Sequence, residues 1–311
     1  MGLNDLQGLE EYLEDKIDVR GKASGHLHSI WIAQGRNACY AIKRYEKHEI
    51  ELVAISSMVN NLLFERGFPV PKIYVRDNLF FCNCANGLYL LQEYIPGQHV
   101  YAKFADWKKI GMQLGKLHTL LNSITGSVKN LIPIYSVSNI KPLSELLKTD
   151  LGKEYHVEIM RKISIFEKWN TLGDGELMTS PEKGIIHGDF YLGNLIEHGD
   201  EYYVIDFDGI EVFSPLYEVV KSFVRCLYGT ASNSQKLQAC EFLSGYELVK
   251  SISMNQFALA LELYLHVQIT CTYYFEQRFS ISFIRRKINK LNHLLTNKAR
   301  ITEVAASVID D

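Results

Sequence analysis

Residues 184–209, GIIHGDFYLGNLIEHGDEYYVIDFDG, carry side chains whose types and spacing could do chemistry. Asp189 and Asp206 each follow a short apolar run that predicts a strand, and Asn194 lies five residues after Asp189. The turn EHGDE at 197–201 predicts a hairpin, which would bring Asn194 close to Asp206. Two carboxylates and one carboxamide would then converge on one point.

Oxygen ligands of this kind suit Mg²⁺, which binds one or two carboxylates together with waters and substrate phosphates. Phosphoryl transfer also needs a group that accepts the proton of the acceptor hydroxyl, and the spacing Asp-x-x-x-x-Asn matches the catalytic loop of kinases. We therefore predict that Asp189 is the base and that Asn194 and Asp206 hold the metal. The triplet alone is weak evidence, because Asp-rich turns are common.

Lys43 supports this interpretation from far upstream. It lies in YAIKRY, a β-prone run at residues 40–45, where a strand lysine could bind the α- and β-phosphates of a nucleotide. A solvent-facing lysine on an edge strand is the commoner interpretation of such a residue. Beside the downstream motif, phosphate binding is the interpretation we favour.

The elements that must position these residues change character along the chain. The first 90 or so residues predict a hairpin around GRN (35–37), a helix over Leu52–Leu63 and a buried strand, GLYLLQEYI, at 87–95. After Phe104 the apolar residues recur mostly at helical spacing. This pattern predicts an α+β protein with a small β-rich N-terminal lobe and a larger, mostly helical C-terminal lobe.

Composition narrows the function class. The chain has 311 residues, of which 47% are hydrophobic and 22% charged, and a formal net charge of −3. This composition is typical of a soluble globular protein and gives no basic footprint for nucleic acid. The sequence contains no secretory signal and no run long enough to span a membrane, and its six scattered cysteines are typical of reduced thiols. We expect a cytoplasmic protein of undetermined oligomeric state, without nucleic-acid or membrane partners.

Seven segments together resemble the aminoglycoside phosphotransferase and choline kinase-like group, which has a protein-kinase-like fold. They occur in the family's order: YAIKRY, FPVPKIY, LLQEYIPG, LGKLH, HGDFYLGN, VIDFDG and PLYEVVKSF. The resemblance covers roughly residues 20–225, and HGDFYLGN is its most specific part. It implies a nucleotide-binding lobe at 1–92, a hinge at 93–98 and a catalytic and substrate-binding lobe at 99–311.

The resemblance also implies a role for each matching residue. Asp189 would be the catalytic base, Asn194 and Asp206 the Mg²⁺ ligands, and Lys43 the phosphate-binding lysine. The donor would be ATP or GTP. Its adenine or guanine would contact the hinge through two backbone groups, the Glu93 carbonyl and the Ile95 amide.

Two parts of the family pattern are altered. The loop that would cover the phosphates, GKASGHLHS at 21–29, lacks G-x-G-x-x-G; Ser24 and Gly25 are its candidate nucleotide contacts. The helix glutamate that should orient Lys43 would fall near Ser56, which is not acidic. Glu51, earlier on that helix, is our candidate partner for Lys43.

The acceptor pocket is the least determined part of the site. Asp208, Glu218 and Tyr273 are candidate contacts, because acids and aromatic rings suit a cationic acceptor; core packing is the alternative role of the aromatic residue. The protein-kinase activation segment is absent, which favours a small molecule with an aminoglycoside-, choline- or amino-alcohol-like hydroxyl. The alternative function is a weakly active or non-catalytic nucleotide-binding relative, either spore-coat-associated or regulatory.

Overall fold

A computed structural model describes the chain in five segments, residues 2–23, 28–135, 141–169, 182–228 and 235–309. The described chain forms two compact, discontinuous units. Unit 1 contains Met1–Ala105, Leu117–Pro133 and Ile185–Glu211; unit 2 contains Asp106–Lys116, Ile134–Gly184 and Val212–Asp311. The lobe boundaries drawn from the sequence are contiguous and stay a prediction.

A five-stranded antiparallel sheet in the order β1-β2-β3-β5-β4 forms the centre of unit 1. The hairpin expected around GRN is present as β2 and β3, joined from Ser29↔Arg44 to Gln34↔Cys39. The strands are β1 Asp18–Ala23, β2 Ser29–Gln34, β3 Cys39–Tyr45, β4 Cys82–Cys84 and β5 Gly87–Glu93, and the helices beside them are α1 Leu3–Leu13 and α2 Ile50–Glu65.

Buried side chains lie on both faces of β3, and they belong to two separate core clusters. Tyr40 and Ile42 of β3 belong to one core cluster, together with Leu9 of α1. Tyr45 belongs to a second cluster, together with Val53 of α2. Because side chains alternate along a strand, Lys43 points to the same face as Tyr45.

A second, three-stranded sheet in unit 1 carries the predicted hairpin of the 184–209 stretch. It has the order β6-β8-β9, with β6 at Gln98–His99, β8 at Leu195–His198 and β9 at Glu201–Val204. Leu195 pairs with Val204, so Asn194 and Asp206 flank the same end of the hairpin. The Val204 amide donates to the Pro69 carbonyl at 2.9 Å, which ties the hairpin to the Pro-rich segment that follows α2.

Unit 2 is mostly helical. One core cluster contains Leu143, Ile159, Phe275 and Ile284 among others. The other strands of the chain are β7 Gly184–Ile186 and β10 Glu211–Phe213. Its other helices are α3 Trp107–Val128, whose residues are divided between the two units, α4 Lys141–Leu146, α5 Asp150–Glu154, α6 His156–Trp169, α7 Pro215–Tyr228, α8 Gln235–Glu247, α9 Met254–Thr270, α10 Tyr273–Glu276, α11 Ile281–Thr296 and α12 Lys298–Ala306.

The aromatic-rich stretch FALALELYLHVQITCTYYF, which predicts one core helix, is divided between α9 and α10. Helix α9 begins at a Ser253 cap whose hydroxyl accepts from the Gln256 amide. The helix ends at Thr270, and the next residue, Cys271, has non-helical backbone angles, with φ −58° and ψ 126°. Among the described helices, none has both the length and the hydrophobicity required to cross a bilayer.

Candidate active site

Lys43 lies between two carboxylates that follow β9. Its Nζ is 2.7 Å from Asp206 Oδ1 and 2.7 Å from Asp208 Oδ2. The lysine side chain is only 9% exposed, whereas Asp206 is 42% exposed. The strand lysine and the second aspartate of the motif are therefore in direct contact, although 163 residues separate them.

The charges of this cluster support one another. Burial alone would lower the pKa of Lys43, but Asp208 and Asp206 outweigh it and raise that pKa above its ordinary value. Burial alone would raise the pKa of Asp206, but the Lys43 ammonium holds that pKa below its ordinary value. Lys43 is thus a fixed positive charge and Asp206 a fixed negative one at neutral pH.

Asp208 is enclosed by further polar groups. Tyr45 Oη donates to Asp208 Oδ1 at 2.8 Å. His28 Nδ1 lies 3.4 Å from Asp208 Oδ2, and His28 Nε2 lies 3.1 Å from Glu49 Oε1. Burial, and after it the Asp208 carboxylate, raises the pKa of Tyr45 well above its ordinary value, so the phenol stays a donor.

His187 joins the loop of Asp189 to the strand end that precedes Asp206. Its Nδ1 accepts from the Asp189 amide at 3.3 Å, so Nε2 carries the proton and donates to the Ile205 carbonyl at 3.1 Å. The ring is fully buried and packs 4.7 Å from the Phe207 ring, centre to centre. The histidine of the HGD triplet therefore links the backbone of Asp189 to the residue before Asp206.

Gly188 is required by the close approach of two backbone segments. Its φ is +78°, and a Cβ at this position would lie 1.8 Å from the Gly209 carbonyl oxygen. Any larger residue would push the loop of Asp189 away from the turn that carries Asp208. The glycine of HGD is thus explained by packing against the DFDG turn.

Asn194 is the third side chain of the motif and is buried. Its Nδ2 donates to the Asp189 carbonyl at 2.9 Å and lies 3.4 Å from Asp189 Oδ2. Its own carbonyl accepts from the Ile205 amide at 3.0 Å. Since the carboxamide nitrogen is engaged with the loop, Oδ1 is the atom that suits a cation.

Asp206 has an uncommon backbone conformation for a residue with a Cβ. Its φ is 68° and its ψ is 68°, in the left-handed region. Residues in this region are enriched at functional sites, where the surrounding structure holds them. Here the conformation turns the chain out of β9 into the short helical turn Phe207–Gly209.

The predicted hinge, residues 93–98, begins at the last residue of β5. Tyr40 and Glu93 face each other in the register of β3 and β5, and the Glu93 amide donates to the Lys72 carbonyl at 2.8 Å. The Tyr94 amide donates to the Cys39 carbonyl at 3.0 Å. Since the Glu93 amide is engaged, the backbone group of Glu93 that could contact a nucleotide base is its carbonyl, as predicted from the family resemblance.

Over residues 18–248 the chain matches the model of the phosphotransferase enzyme family. It belongs to that family. The match spans more than half of the chain and includes Lys43, Asp189, Asn194 and Asp206. A search of curated protein sequences finds no significant match.

Solved structures similar to this phosphotransferase show its fold. An amicoumacin kinase in complex with AMP-PNP and Ca²⁺ has a TM-score of 0.65 at 15% identity, covering 88% of this chain and 87% of that one. The GDP complex of aminoglycoside 2'-phosphotransferase-IIIa has a TM-score of 0.62 at 12% identity, covering 95% and 99%. The choline kinase LicA from Streptococcus pneumoniae has a TM-score of 0.58 at 19% identity, covering 92% and 97%. The predicted family and the kinase-like α+β fold are confirmed.

Three other predicted site residues of this phosphotransferase lie on the helices α2, α7 and α10. Glu51 is exposed in the first turn of α2 and is not among the described partners of Lys43. Glu218 is fully buried in α7, and Tyr273 is 41% exposed in α10; both belong to unit 2. Ser24 and Gly25 lie outside the described residues.

Three contributors to this cluster were not predicted from the sequence, and a fourth was predicted for a different role. His28, Tyr45 and Glu49 were not singled out, and Asp208 was considered only for the acceptor. Tyr45 had a usable signal: it lies two residues after Lys43 on a strand, so both side chains point to one face. His28 and Glu49 had none, because their contacts depend on how the loop before β2 and the turn before α2 approach each other.

Proposed function

We propose that this phosphotransferase is a kinase that moves the γ-phosphate of ATP or GTP to a hydroxyl of a small molecule. Asp189 accepts the hydroxyl proton as the new O–P bond forms and the bond to the nucleoside diphosphate breaks. Lys43 binds the donor phosphates. The Glu93 carbonyl and the Ile95 amide contact the base of the nucleotide.

One observation carries this proposal: unit 1 by itself gathers the lysine, both aspartates and the asparagine of the motif. Lys43 contacts Asp206 directly, His187 bridges the Asp189 amide and Ile205, and Asn194 contacts both Asp189 and Ile205. A purely structural ion pair would not require the left-handed backbone of Asp206 or the close approach of Gly188 to Gly209. The arrangement matches what phosphoryl transfer demands, namely positioning and charge neutralisation.

The donor set also fits a magnesium ion. Asp206 offers a half-exposed carboxylate whose Oδ1 already faces the Lys43 ammonium, and Asn194 offers a carboxamide oxygen. Among the described residues, no group of three or more His, Cys, Asp or Glu side chains is arranged to hold a metal. Two protein ligands plus phosphates and waters suit Mg²⁺. When bound there, the ion would neutralise charge on the donor phosphates.

For the acceptor we propose a small molecule with an aminoglycoside-, choline- or amino-alcohol-like hydroxyl. The similar solved structures include kinases named for such compounds, among them a spectinomycin phosphotransferase in complex with ADP and spectinomycin. Glu218 and Tyr273 remain candidate acceptor contacts. Both oxygens of Asp208 face Lys43, Tyr45 or His28, which favours a place for Asp208 on the nucleotide side.

The test is ATP and GTP consumption with Mg²⁺ against a panel of aminoglycosides, choline-like amines, amino alcohols and sugars. Wild type is compared with Asp189→Asn, which keeps the shape of the side chain and removes its basicity. We expect acceptor-dependent consumption that falls by about 10²- to 10⁴-fold in the variant, while ADP binding, measured by calorimetry, stays unchanged.

Equal consumption by wild type and Asp189→Asn would refute the role of Asp189 as the base. Nucleotide binding without consumption for every acceptor would instead favour the alternative, a non-catalytic nucleotide-binding relative. Asp206→Asn separates these outcomes further, because it should weaken Mg²⁺-dependent ADP binding whether or not the protein turns over.

A further inference from the structure

We propose that Asp208 is the residue that positions Lys43 for the donor phosphates, the task that the family pattern gives to a glutamate on the helix after β3. The inference rests on the proposed kinase function. It assigns to the second aspartate of DFD a role distinct from that of the first. Asp206 would bind the metal ion, and Asp208 would hold Lys43 in place at the same time.

The two carboxylates that contact Lys43 have unequal surroundings. Both lie 2.7 Å from its Nζ, but the Asp206 side chain is 42% exposed and that of Asp208 is 19% exposed. The more exposed carboxylate can turn toward a cation that arrives from solvent. The more enclosed one would have to break several contacts to do so, and therefore stays with the lysine.

Asp208 is held from both sides of its carboxylate. Tyr45 donates to Oδ1 at 2.8 Å, while Lys43 donates to Oδ2. Tyr45 is 1% exposed and lies on the same face of β3 as Lys43. The strand therefore presents two donors in register, and together they fit the two oxygens of a single aspartate.

His28 and Glu49 close the remaining side of this cluster. The His28 ring lies 4.4 Å from the Tyr45 ring, centre to centre, and its two nitrogens face Asp208 and Glu49. Glu49 thus contacts His28 rather than the lysine. Its place is the short helical turn Lys47–Glu49 that leads into α2.

Helix α2 offers no buried acid to Lys43. Glu51 is exposed in its first turn. The buried residues of α2 are Val53, Ser56, Ser57, Val59, Asn60 and Leu63, and none of them carries a charge. Since a buried lysine is expensive without an anionic partner, Asp208 supplies what the helix lacks.

The first experiment compares nucleotide binding by Asp208→Asn and Tyr45→Phe with that of wild type. Calorimetry with ADP and Mg²⁺ reports phosphate binding, and adenosine reports binding of the base alone. We expect Asp208→Asn to weaken ADP binding between about tenfold and 10²-fold and to leave adenosine unchanged. Tyr45→Phe should shift ADP binding in the same direction by less.

Tyr89→Phe is the matched control for lost stability. Tyr89 Oη donates to Asp5 Oδ2 at 3.1 Å, a buried phenol–carboxylate bond in the same unit and remote in sequence from the cluster. Its loss should lower stability without changing ADP binding. Equal ADP affinity in wild type and Asp208→Asn, or a larger loss from Glu51→Gln than from Asp208→Asn, would overturn the proposal.

A second readout needs no nucleotide and so separates this inference from the proposed function. The rate of Lys43 acylation by a small anhydride, followed by mass spectrometry at fixed pH, reports how firmly the ammonium is paired. Asp208→Asn should raise this rate by about tenfold or more, as expected for loss of an opposite charge, and leave buried Lys162 unchanged as an internal reference. An unchanged rate at Lys43 would overturn the pairing even if the protein binds ADP well.

Discussion

Two buried lysines, one in each unit, show how neighbouring charges decide what a lysine can do. Lys43 of unit 1 contacts two carboxylates at 2.7 Å, and they raise its pKa above the ordinary value. Lys162 of unit 2 is 4% exposed and donates to the Cys271 carbonyl, with its Nζ 5.6 Å from the centre of the Phe275 ring. Burial lowers the pKa of Lys162 to about 8.

The acid nearest to Lys162 along α6 pairs with a different basic residue. Glu158 lies one turn earlier on α6 and is also buried, but its carboxylate accepts from Arg285 Nε at 2.7 Å. Lys162 therefore relies on a carbonyl dipole and an aromatic face, whereas Lys43 relies on full charges. Burial therefore disfavours the charge of Lys162, whereas two carboxylates stabilise the charge of Lys43, which supports the proposed phosphate-binding role of Lys43.

The largest expected effect comes from removing the positive charge of Lys43. Lys43→Met should reduce phosphotransfer by about 10³-fold, because the positioned charge proposed to bind the donor phosphates is lost. Lys162→Met should leave the turnover of the folded protein within about threefold of wild type, since Lys162 belongs to no described part of the Lys43 cluster. Steady-state kinetics with matched amounts of folded protein measure both. Comparable losses of turnover in the two variants would show that the two lysines do not differ in function.

A smaller effect is expected on stability, and it depends on pH. For a lysine whose folded pKa is lowered, the cost of burial is fully present below the folded pKa, near pH 8 for Lys162, and disappears as pH rises to the unfolded value near 10.5. The cost is about 3 kcal/mol, and the lost bond to Cys271 offsets about 1 kcal/mol of any gain. Lys162→Met should therefore stabilise the protein by about 2 kcal/mol at pH 6.

Urea unfolding at pH 6 and at pH 10 measures this dependence on pH. The gain from Lys162→Met should shrink as pH rises through 8 and vanish or reverse near pH 10. Lys43 does not counteract this trend, because its raised pKa keeps its own contribution present until pH exceeds its ordinary value. A gain that is equal at both pH values would show that packing, rather than charge burial, separates the two residues.

The smallest expected effect is at an exposed lysine. Lys153 pairs with Asp150 at 2.8 Å on α5, but the two side chains are 80% and 89% exposed. Lys153→Gln should change the free energy of unfolding by about 0.5 kcal/mol or less, because solvent screens such pairs. Urea unfolding in low and high salt provides the comparison. A change in the free energy of unfolding as large as that expected for Lys162→Met would show that burial does not determine how much a lysine affects stability.

Much of the candidate site could be predicted from the sequence, because its chemistry depends on residue types at short spacing. HGDFYLGN and VIDFDG set Asp189, Asn194 and Asp206 at strand ends, and the turn between them forms the hairpin that its residues predict. Alternation along β3 put Lys43 on a definite face. The α+β organisation likewise followed from the change from strand-like to helical periodicity.

The break between α9 and α10 was less predictable. The stretch FALALELYLHVQITCTYYF is apolar throughout, and helical periodicity alone does not mark a stop at Cys271. Buried residues lie on several sides of α9, so the apolar pattern continues past the point where the helix ends. The roles of Glu218 and Tyr273 stay predictions, because a buried acid and a half-exposed ring are compatible both with packing and with acceptor binding.

By itself, the sequence determined the family, and it predicted the residues proposed here as the base, the metal ligands and the phosphate-binding lysine. Only the tertiary structure decided which acid pairs with Lys43. Spacing along α2 directed attention to Glu51, yet the fold leaves Glu51 in solvent and brings Asp208 to the lysine across 165 residues. The physical reason is that an ion pair depends on distance and burial in space, and sequence spacing fixes these only within one strand, helix or turn.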